Sequence, residues 1–448
     1  QHDPQCRDIL TYKSPSTGDP VGTSFMMANN YEDLTKRRKA FRHMSDATFG
    51  LIGRTPDFCN TIAMAWAESP GVFDDLGEMY KTNVLNYYEY VRENDLYLTH
   101  ALIPPQVDRS KSSSEQPDKY VHLGVVKETD DGLVVRGARM MVTMAPIADE
   151  ILIFNLPGVK EGDEAYAMSF AMPLDTPGIR MICREPFNEG NQLSFNHPLA
   201  SNFEEPDVLL VFDDVLVPWD RVFLHNNLEL ANALYIRTNI RNHTAHQTAV
   251  RALSKLELMV GTAMKVAQTI KVDGFLHIQQ MLGEVIGTLE IAKACIIRAE
   301  VECEPTSAGT VRAGLTPLTT MRGFLPRAYP RIVEVLQLIS AGGILSTPAL
   351  EDFGSEIGAD IDRFFGAAGV DATDRVKLFK LVWDLTGDAF GSRHLQYERF
   401  WAGDPVRLVA GNYLGYEYKD ACIATVDRAL ELALEPQHHA EEVYIDGV

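Results

Sequence analysis

Ala245–Thr269 and Gly274–Glu302 repeat apolar residues at a 3.6-residue period. Each is far longer than the roughly 11–12 residues of a mean soluble helix. Helices of that length bury their apolar stripes only against one another, so they predict a bundle. Ile332–Ile339 and Val376–Phe390 continue the pattern, with turns marked by Gly342-Gly343 and by Gly366 to Gly369. The apolar faces left over are expected to pack on another subunit. Upstream, Tyr31–Leu51, Thr61–Trp66 and Leu76–Glu93 read as helices, the first two parted by Gly53-Arg54-Thr55-Pro56-Asp57-Phe58. Between the helical parts lie short β-like runs: Val121–Val126, Leu133–Val135, Ile151–Phe154, Ala167–Ala171, Ile179–Cys183 and Val208–Phe212. Asp130-Asp131-Gly132 is a hairpin turn, and Ser110–Asp118 a solvated polar loop. No repeat is evident. The class is α+β, in three parts: a helical 1–96, a β-rich 97–224, and a helical bundle with tail, 225–448. Length alone suggests about three domains.

The 448 residues carry a formal charge of -21, which argues against nucleic acid and anionic membrane surfaces as partners. No apolar run approaches the roughly 20 residues of a membrane span. Cys6, Cys59, Cys183, Cys295, Cys303 and Cys422 are scattered, so reduced thiols in a cytoplasmic protein are the default and no disulfide framework or metal site is expected. The chain starts at Gln1 without a methionine, and native residues are expected to precede it.

Candidate chemistry centres on Asn94–Arg109, NDLYLTHALIPPQVDR. Pro104-Pro105 cannot continue a central strand or a helix, so His100 falls near the end of an extended segment. Gln106 and Asp108 flank Val107 and in an extended chain point to one side. An imidazole beside them can take a proton near neutral pH; the alternative is a histidine hydrogen-bonded in a domain junction. Arg54, in its glycine–proline turn, can hold an anion or a phenolate, or only cap the turn at the surface. Gly137–Pro146 reads as a strand ending in small residues, where a flat ring can approach and Thr143 can offer a hydroxyl and an N–H. Asp213 and Asp214 read as turn residues, a metal pair being the alternative. Gly403-Asp404-Pro405 follows an aromatic helix and either meets a cofactor edge or ends the helix. His243 and His246 read as structural. The dinucleotide, Walker and nucleophile-elbow motifs are absent.

Taken in order, GRTPDF, NDLYLTHALIPPQVDRSK, GARMMVTMAPIADE, FDDVLVPWDRVF and QYERFWAGDPVR resemble the large oxygenase component of the 4-hydroxyphenylacetate 3-monooxygenase family, over about Tyr31 to Arg407. The resemblance implies an acyl-CoA dehydrogenase-like fold: N-terminal helical domain, middle β-barrel, C-terminal four-helix bundle, assembled as a homotetramer, a dimer of dimers. It implies a two-component aromatic monooxygenase. A separate NAD(P)H:flavin reductase supplies FADH2, O2 adds to give an FAD C4a-hydroperoxide, and a phenol is hydroxylated ortho to its oxygen. A phenol has a pKa of about 10, so it needs an acceptor. The resemblance gives that role to His100 and puts Arg54 on the substrate oxygen. It places His100, Ala101, Leu102, Gln106, Val107, Asp108, Arg109, Thr143, Gly403, Asp404 and Pro405 on the flavin, and Asn155 near the substrate tail.

One departure stands out. Phe58 occupies the place of a family tyrosine. A lost hydrogen bond in a dry site costs roughly 1–3 kcal/mol. Besides 4-hydroxyphenylacetate, a halogenated or nitro phenol, a carrier-tethered tyrosine derivative or another electron-rich ring therefore stays open. The competing readings are an FAD-dependent lyase like 4-hydroxybutyryl-CoA dehydratase, an acyl-CoA dehydrogenase, and a non-catalytic partner protein. The lyase needs a cysteine-and-histidine cluster set that the spacing does not supply.

Overall fold

The computed structural model describes residues 4–434 apart from 188, 189, 191 and 192; the expected tail from residue 435 lies outside them. Helices Tyr31–Asp46, Pro56–Glu68 and Glu78–Glu93 follow a short helix, Pro4–Leu10. The Asn30 side chain caps the first by accepting the Asp33 N–H at 2.9 Å. Pro56 opens the second, where a missing N–H costs nothing. From Ile62 to Ala67 that helix is apolar on every side, and it is buried throughout from Asp57 to Glu68. It packs against the long helix Ile240–Thr269, strand Leu98–Ala101 and helix Glu78–Glu93. Its leading end, with Arg54, Thr55, Asp57 and Phe58, is thus delivered to a junction of all three parts of the chain.

The strands between Leu98 and His225 form two four-stranded sheets. One runs Val222–His225, Met168–Pro173, Glu150–Ile153, Leu98–Ala101. Its last pair is parallel and sets His100 opposite Leu152. The other is antiparallel throughout: Gly124–Glu128, Gly132–Arg139, Val208–Pro218, Ile179–Cys183. Ile151, Ile153, Phe170 and Met172 of the first share a core with Val135, Leu210, Phe212 and Val217 of the second. The expected barrel does not close among the described residues. One antiparallel bridge, Ile103 to Met140, joins the sheets at a corner, and Pro104-Pro105 has no N–H with which to extend it.

Two other expectations change. The strand predicted through Gly137–Pro146 stops at Arg139. Met141 (φ 57°) and Met144 (φ 68°) are left-handed, so the chain leaves the sheet around Thr143. Asp213 and Asp214 sit not in a turn but at a bulge inside the strand Val208–Pro218, paired with Arg180 and Arg136 on the exposed face.

Helices Ile240–Thr269, Leu276–Val301, Leu315–Ser340 and Ala372–Thr386 share a core that includes Val260, Val285, Ala292, Leu336 and Phe379. The third begins well before Ile332 because it tolerates Pro326 and Pro330 in its interior. The single helix expected over Val376–Phe390 is divided at Gly387-Asp388. Asp388 caps a further helix, Ala389–Phe400, by accepting the Phe390 N–H at 2.9 Å. No helix of the described residues is long and apolar enough to cross a membrane.

Candidate active site

Arg54 and Phe58 stand at the head of the buried Pro56–Glu68 helix. His100 reaches them from the edge strand. The Arg54 guanidinium lies over the Phe58 ring at 4.1 Å, and the Phe58 ring meets the His100 imidazole edge-on at 5.3 Å. All three are under a tenth exposed, so Arg54 is not the surface turn cap. No carboxylate pairs with its guanidinium among the described residues, and its Nε has no hydrogen-bond partner. Nη1 donates to the Tyr397 hydroxyl at 2.6 Å. A Cβ on Gly53 would collide with the Tyr397 ring, so only glycine fits there. Backbone contacts fix the rest of Arg54: its N–H donates to Glu205 Oε1 at 2.7 Å, and its carbonyl accepts from the Tyr97 hydroxyl at 2.5 Å.

His100 Nδ1 is buried and unpartnered. Burial, reinforced by the Arg54 charge, pulls the imidazole down to about 3, so it is neutral across the physiological range. The imidazole expected beside the Gln106 and Asp108 pair makes no described contact with either: Gln106 is exposed, and Asp108 accepts from Ser110. The loop that follows is pinned rather than free. The Gln116 amide donates to the carbonyls of Asp108 and Lys111, and His122 Nε2 lies 2.9 Å from the Pro105 carbonyl.

Thr143 joins Arg54 through a relay that spacing did not reveal. Its hydroxyl donates to Asp207 Oδ1 at 2.9 Å. Arg393 donates to both Asp207 oxygens, at 3.0 and 3.1 Å, and pairs with Glu205. Burial alone would raise the Asp207 carboxyl; Arg393 overrides it and holds the carboxyl below its usual range. The Val142 and Met144 N–H groups donate to the carbonyls of Val208 and Pro206. The Thr143 N–H between them finds no partner among the described residues and is free for a ligand.

The remaining candidates divide. Ala101 is buried within the His100 strand, and Leu102 gives its carbonyl to Arg139 Nη1 at 2.9 Å. Val107 and Arg109 are exposed. Asn155 spends its amide on the Tyr166 carbonyl and the Met168 N–H, both at 3.1 Å, which brackets its own loop. Gly403 (φ +112°), Asp404 and Pro405 form an exposed turn that starts the helix Pro405–Leu414. No described contact ties Asn155 or this turn to Arg54, Phe58 or His100.

A flavin dinucleotide can be tested against these groups. It needs cationic and N–H donors for its phosphates and ring edge. Arg139 is buried without a carboxylate, its Nε has no partner, and burial pulls its guanidinium down to about 10. Arg139 donates to Leu102 and Thr143 accepts from Thr99, both chain neighbours of His100, so the free Arg139 Nε and the open Thr143 N–H are donors of the kind required near that imidazole. The residues fit. Asp57, unmarked by spacing, is buried with Oδ2 unpartnered, and burial raises its carboxyl to about 6. His243 and His246 are structural: they bond Glu68 at 2.7 Å and Glu300 at 2.8 Å inside the core. No cysteine stands in a potential metal-ligand group among the described residues, which leaves the lyase reading without a cluster set.

Helices, paired sheets and a long-helix bundle around a buried arginine–imidazole cluster define an α+β chain whose free donors suit a flavin. Residues 1–224 match the family described as 4-hydroxyphenylacetate 3-hydroxylase N terminal, and residues 231–431 its C-terminal counterpart. The chain belongs to the 4-hydroxyphenylacetate 3-hydroxylase family. It is 42% identical to the 4-hydroxyphenylacetate 3-monooxygenase oxygenase component of Thermus thermophilus, over 98% of this chain and 90% of that one. A crystal structure of an HpaB oxygenase component complexed with FAD and 4-hydroxyphenylacetate aligns with a TM-score of 0.90 at 42% identity, covering 97% of this chain and 90% of that chain. A 4-hydroxybutyryl-CoA dehydratase from N. maritimus shares the fold, with a TM-score of 0.82 at 21% identity over 95% of this chain and 84% of that chain.

Proposed function

We propose that this chain is the oxygenase component of a two-component, FAD-dependent monooxygenase that hydroxylates a phenol ortho to its oxygen. The observation that carries the reading is an Arg54 guanidinium without a carboxylate partner beside an orphaned, neutral His100 imidazole, both buried against the Phe58 ring. When bound, reduced flavin supplies two electrons and activates O2, so that one oxygen atom enters the ring and the other leaves as water. The protein's part is to hold the phenol. The Arg54 charge favours the phenolate over the phenol, because an opposite charge in a buried site stabilises the ionised form. While the substrate is still a phenol, neutral His100 accepts its O–H hydrogen bond and orients the ring, and it takes that proton only as the ring oxygen turns anionic beside Arg54. Held near pKa 3, it is a positioning acceptor rather than a strong resting base. Phe58, Leu152 and Phe154 keep water from the reacting atoms.

His100, Ala101, Leu102, Thr143 and Arg139 form the flavin wall, and the pinned loop Gln106–Arg109 extends it. Gly403-Asp404-Pro405 reaches the cofactor only from a second copy of the chain or after a rearrangement. Exposed Ile423, Val426, Leu430 and Leu432 on helix Lys419–Leu434 support an assembly of copies, read here as a homotetramer. A cytoplasmic flavin reductase is the natural partner. Residues 1–96, 97–224 and 225–448 are taken as the three domains. The substrate is a phenol, free or carrier-tethered, and Asn155 shapes its loop.

The test is His100→Ala with reduced FAD, O2 and a phenol panel. Catechol formed per flavin oxidised should collapse while hydrogen peroxide release continues. Unchanged coupling would remove His100 from the site.

A further inference from the structure

Sequence spacing led to the expectation of no metal, yet the fold brings together three donors from distant parts of the chain. His197 lies on the loop that leads into Glu205 and Asp207. Asp384 lies near the end of helix Ala372–Thr386, and Asp388 caps the next helix. Their ligand atoms all fall within 4.8 Å of one another. His197 Nδ1 is 3.2 Å from Asp388 Oδ2 and 3.5 Å from Asp384 Oδ1. Donors at about 2.0–2.1 Å around a tetrahedral ion stand about 3.3 Å apart, which these spacings match.

The second observation concerns Asp384. Its side chain has no exposed surface. Oδ2 accepts the Leu199 and Ala200 N–H groups at 2.7 and 3.1 Å. Oδ1 accepts no hydrogen bond and faces the cluster. One imidazole N–H cannot serve two carboxylates, so a buried negative oxygen is left over, and a buried charge needs a partner. Lys380 is the cation that faces Asp384 from the same helix, but Glu351 and Asp352 also bear on that lysine, and the balance around the cluster stays negative. His197 remains 31% exposed, which leaves an entry path.

We propose that His197, Asp384 and Asp388 form a site for one divalent first-row cation, of the zinc or manganese class. A bound ion clamps the His197 loop to the two helices. Because that loop leads to Glu205 and Asp207, and the second helix carries Arg393 and Tyr397, the ion braces the wall behind Arg54 without touching substrate.

The full chain is stripped with a chelator and dialysed against ZnCl2, and bound zinc and melting temperature are measured. His197→Gln and Asp388→Asn are run beside it; asparagine keeps the side-chain oxygen that caps the helix. The parent should bind one zinc per chain and melt higher with it. Each variant should bind at least tenfold more weakly, lose the zinc-dependent rise, and melt near the parent in chelator. No binding by the parent, or equal binding by the variants, overturns the site and leaves His197 as a hydrogen-bonding link between two carboxylates. Zinc lost only when Cys183 and Cys422 are replaced by serine overturns it too.

Discussion

Arg393→Met separates the pocket's electrostatic frame from its packing. Arg393 is nearly buried and faces two carboxylates; the Glu205 side chain is 2% exposed and that of Asp207 is 21% exposed. At 3.0 Å from Asp207 Oδ1, an effective dielectric of 20 gives a gross attraction of about 5–6 kcal/mol. Removing one partner of such a pair typically costs about 3–5 kcal/mol, because the other charge is left buried alone. Arg393→Met should therefore lose about 3–5 kcal/mol of unfolding free energy in urea. It should also weaken FAD binding, since Asp207 no longer holds Thr143 firmly. The decisive variant is the double mutant Glu205→Gln/Arg393→Met. Glutamine keeps the oxygen that accepts the Arg54 N–H but carries no charge. It should recover about 2 kcal/mol relative to Arg393→Met alone, a coupling well beyond the roughly 0.3–0.5 kcal/mol scatter of independent sites. Strictly additive single and double effects would show that Glu205 is not uncompensated in the arginine's absence, and the relay argument would fall.

Asp57→Asn should stabilise the protein at neutral pH. The folded carboxyl, raised from 3.8 to about 6, binds its proton more tightly than the unfolded one, so stability falls as pH rises through about 4 to 6 and stays lower above. Two units are worth about 3 kcal/mol; melting curves should show the variant ahead at pH 7.5 and level with the parent near pH 4. Tyr397→Phe removes the oxygen that accepts from Arg54. At about 1.5–3 kcal/mol for a charged hydrogen bond, kcat/KM for the phenol should fall roughly tenfold to hundredfold and the melting temperature should drop, because the buried guanidinium loses an acceptor; an unchanged kcat/KM would detach Tyr397 from the site. Phe58→Tyr puts a hydroxyl back beside His100 and should favour simple para-substituted phenols in a competition assay, whereas an unaltered substrate order would clear Phe58 of any part in selectivity.

Arg54, Phe58 and His100 were legible because punctuation exposes them. A buried-type helix that opens on Gly-Arg-Thr-Pro, and a strand that must stop at a double proline, leave a cation and an imidazole at element ends where regular structure does not absorb them. Glu205, Asp207, Arg393 and Tyr397 were not legible. Each is a charged or phenolic residue with an ordinary neighbourhood, and its partner lies far along the chain, as Tyr397 lies from Arg54. Helical period found the bundle but lost the first half of Leu315–Ser340, where Pro326 and Pro330 argue against a helix that tertiary packing nonetheless holds. Turn-bounded apolar runs found the strands, but the barrel expected of them does not close among the described residues. Register at Asp213-Asp214 and the left-handed turns at Met141 and Met144 depend on partners outside any local window.

The pocket's three walls come from three remote stretches: the head of the Pro56 helix, the strand edge at His100 with the Glu205 loop, and the Arg393–Tyr397 helix face. A fragment ending near residue 224 would keep Arg54 and His100 but lose the Tyr397 and Arg393 that hold them, and one beginning there would lose the cation and the acceptor together. Activity is therefore an all-or-none readout of long-range assembly, and a protease nick between residues 225 and 372 that lets the pieces drift apart should silence the enzyme before it melts any single helix.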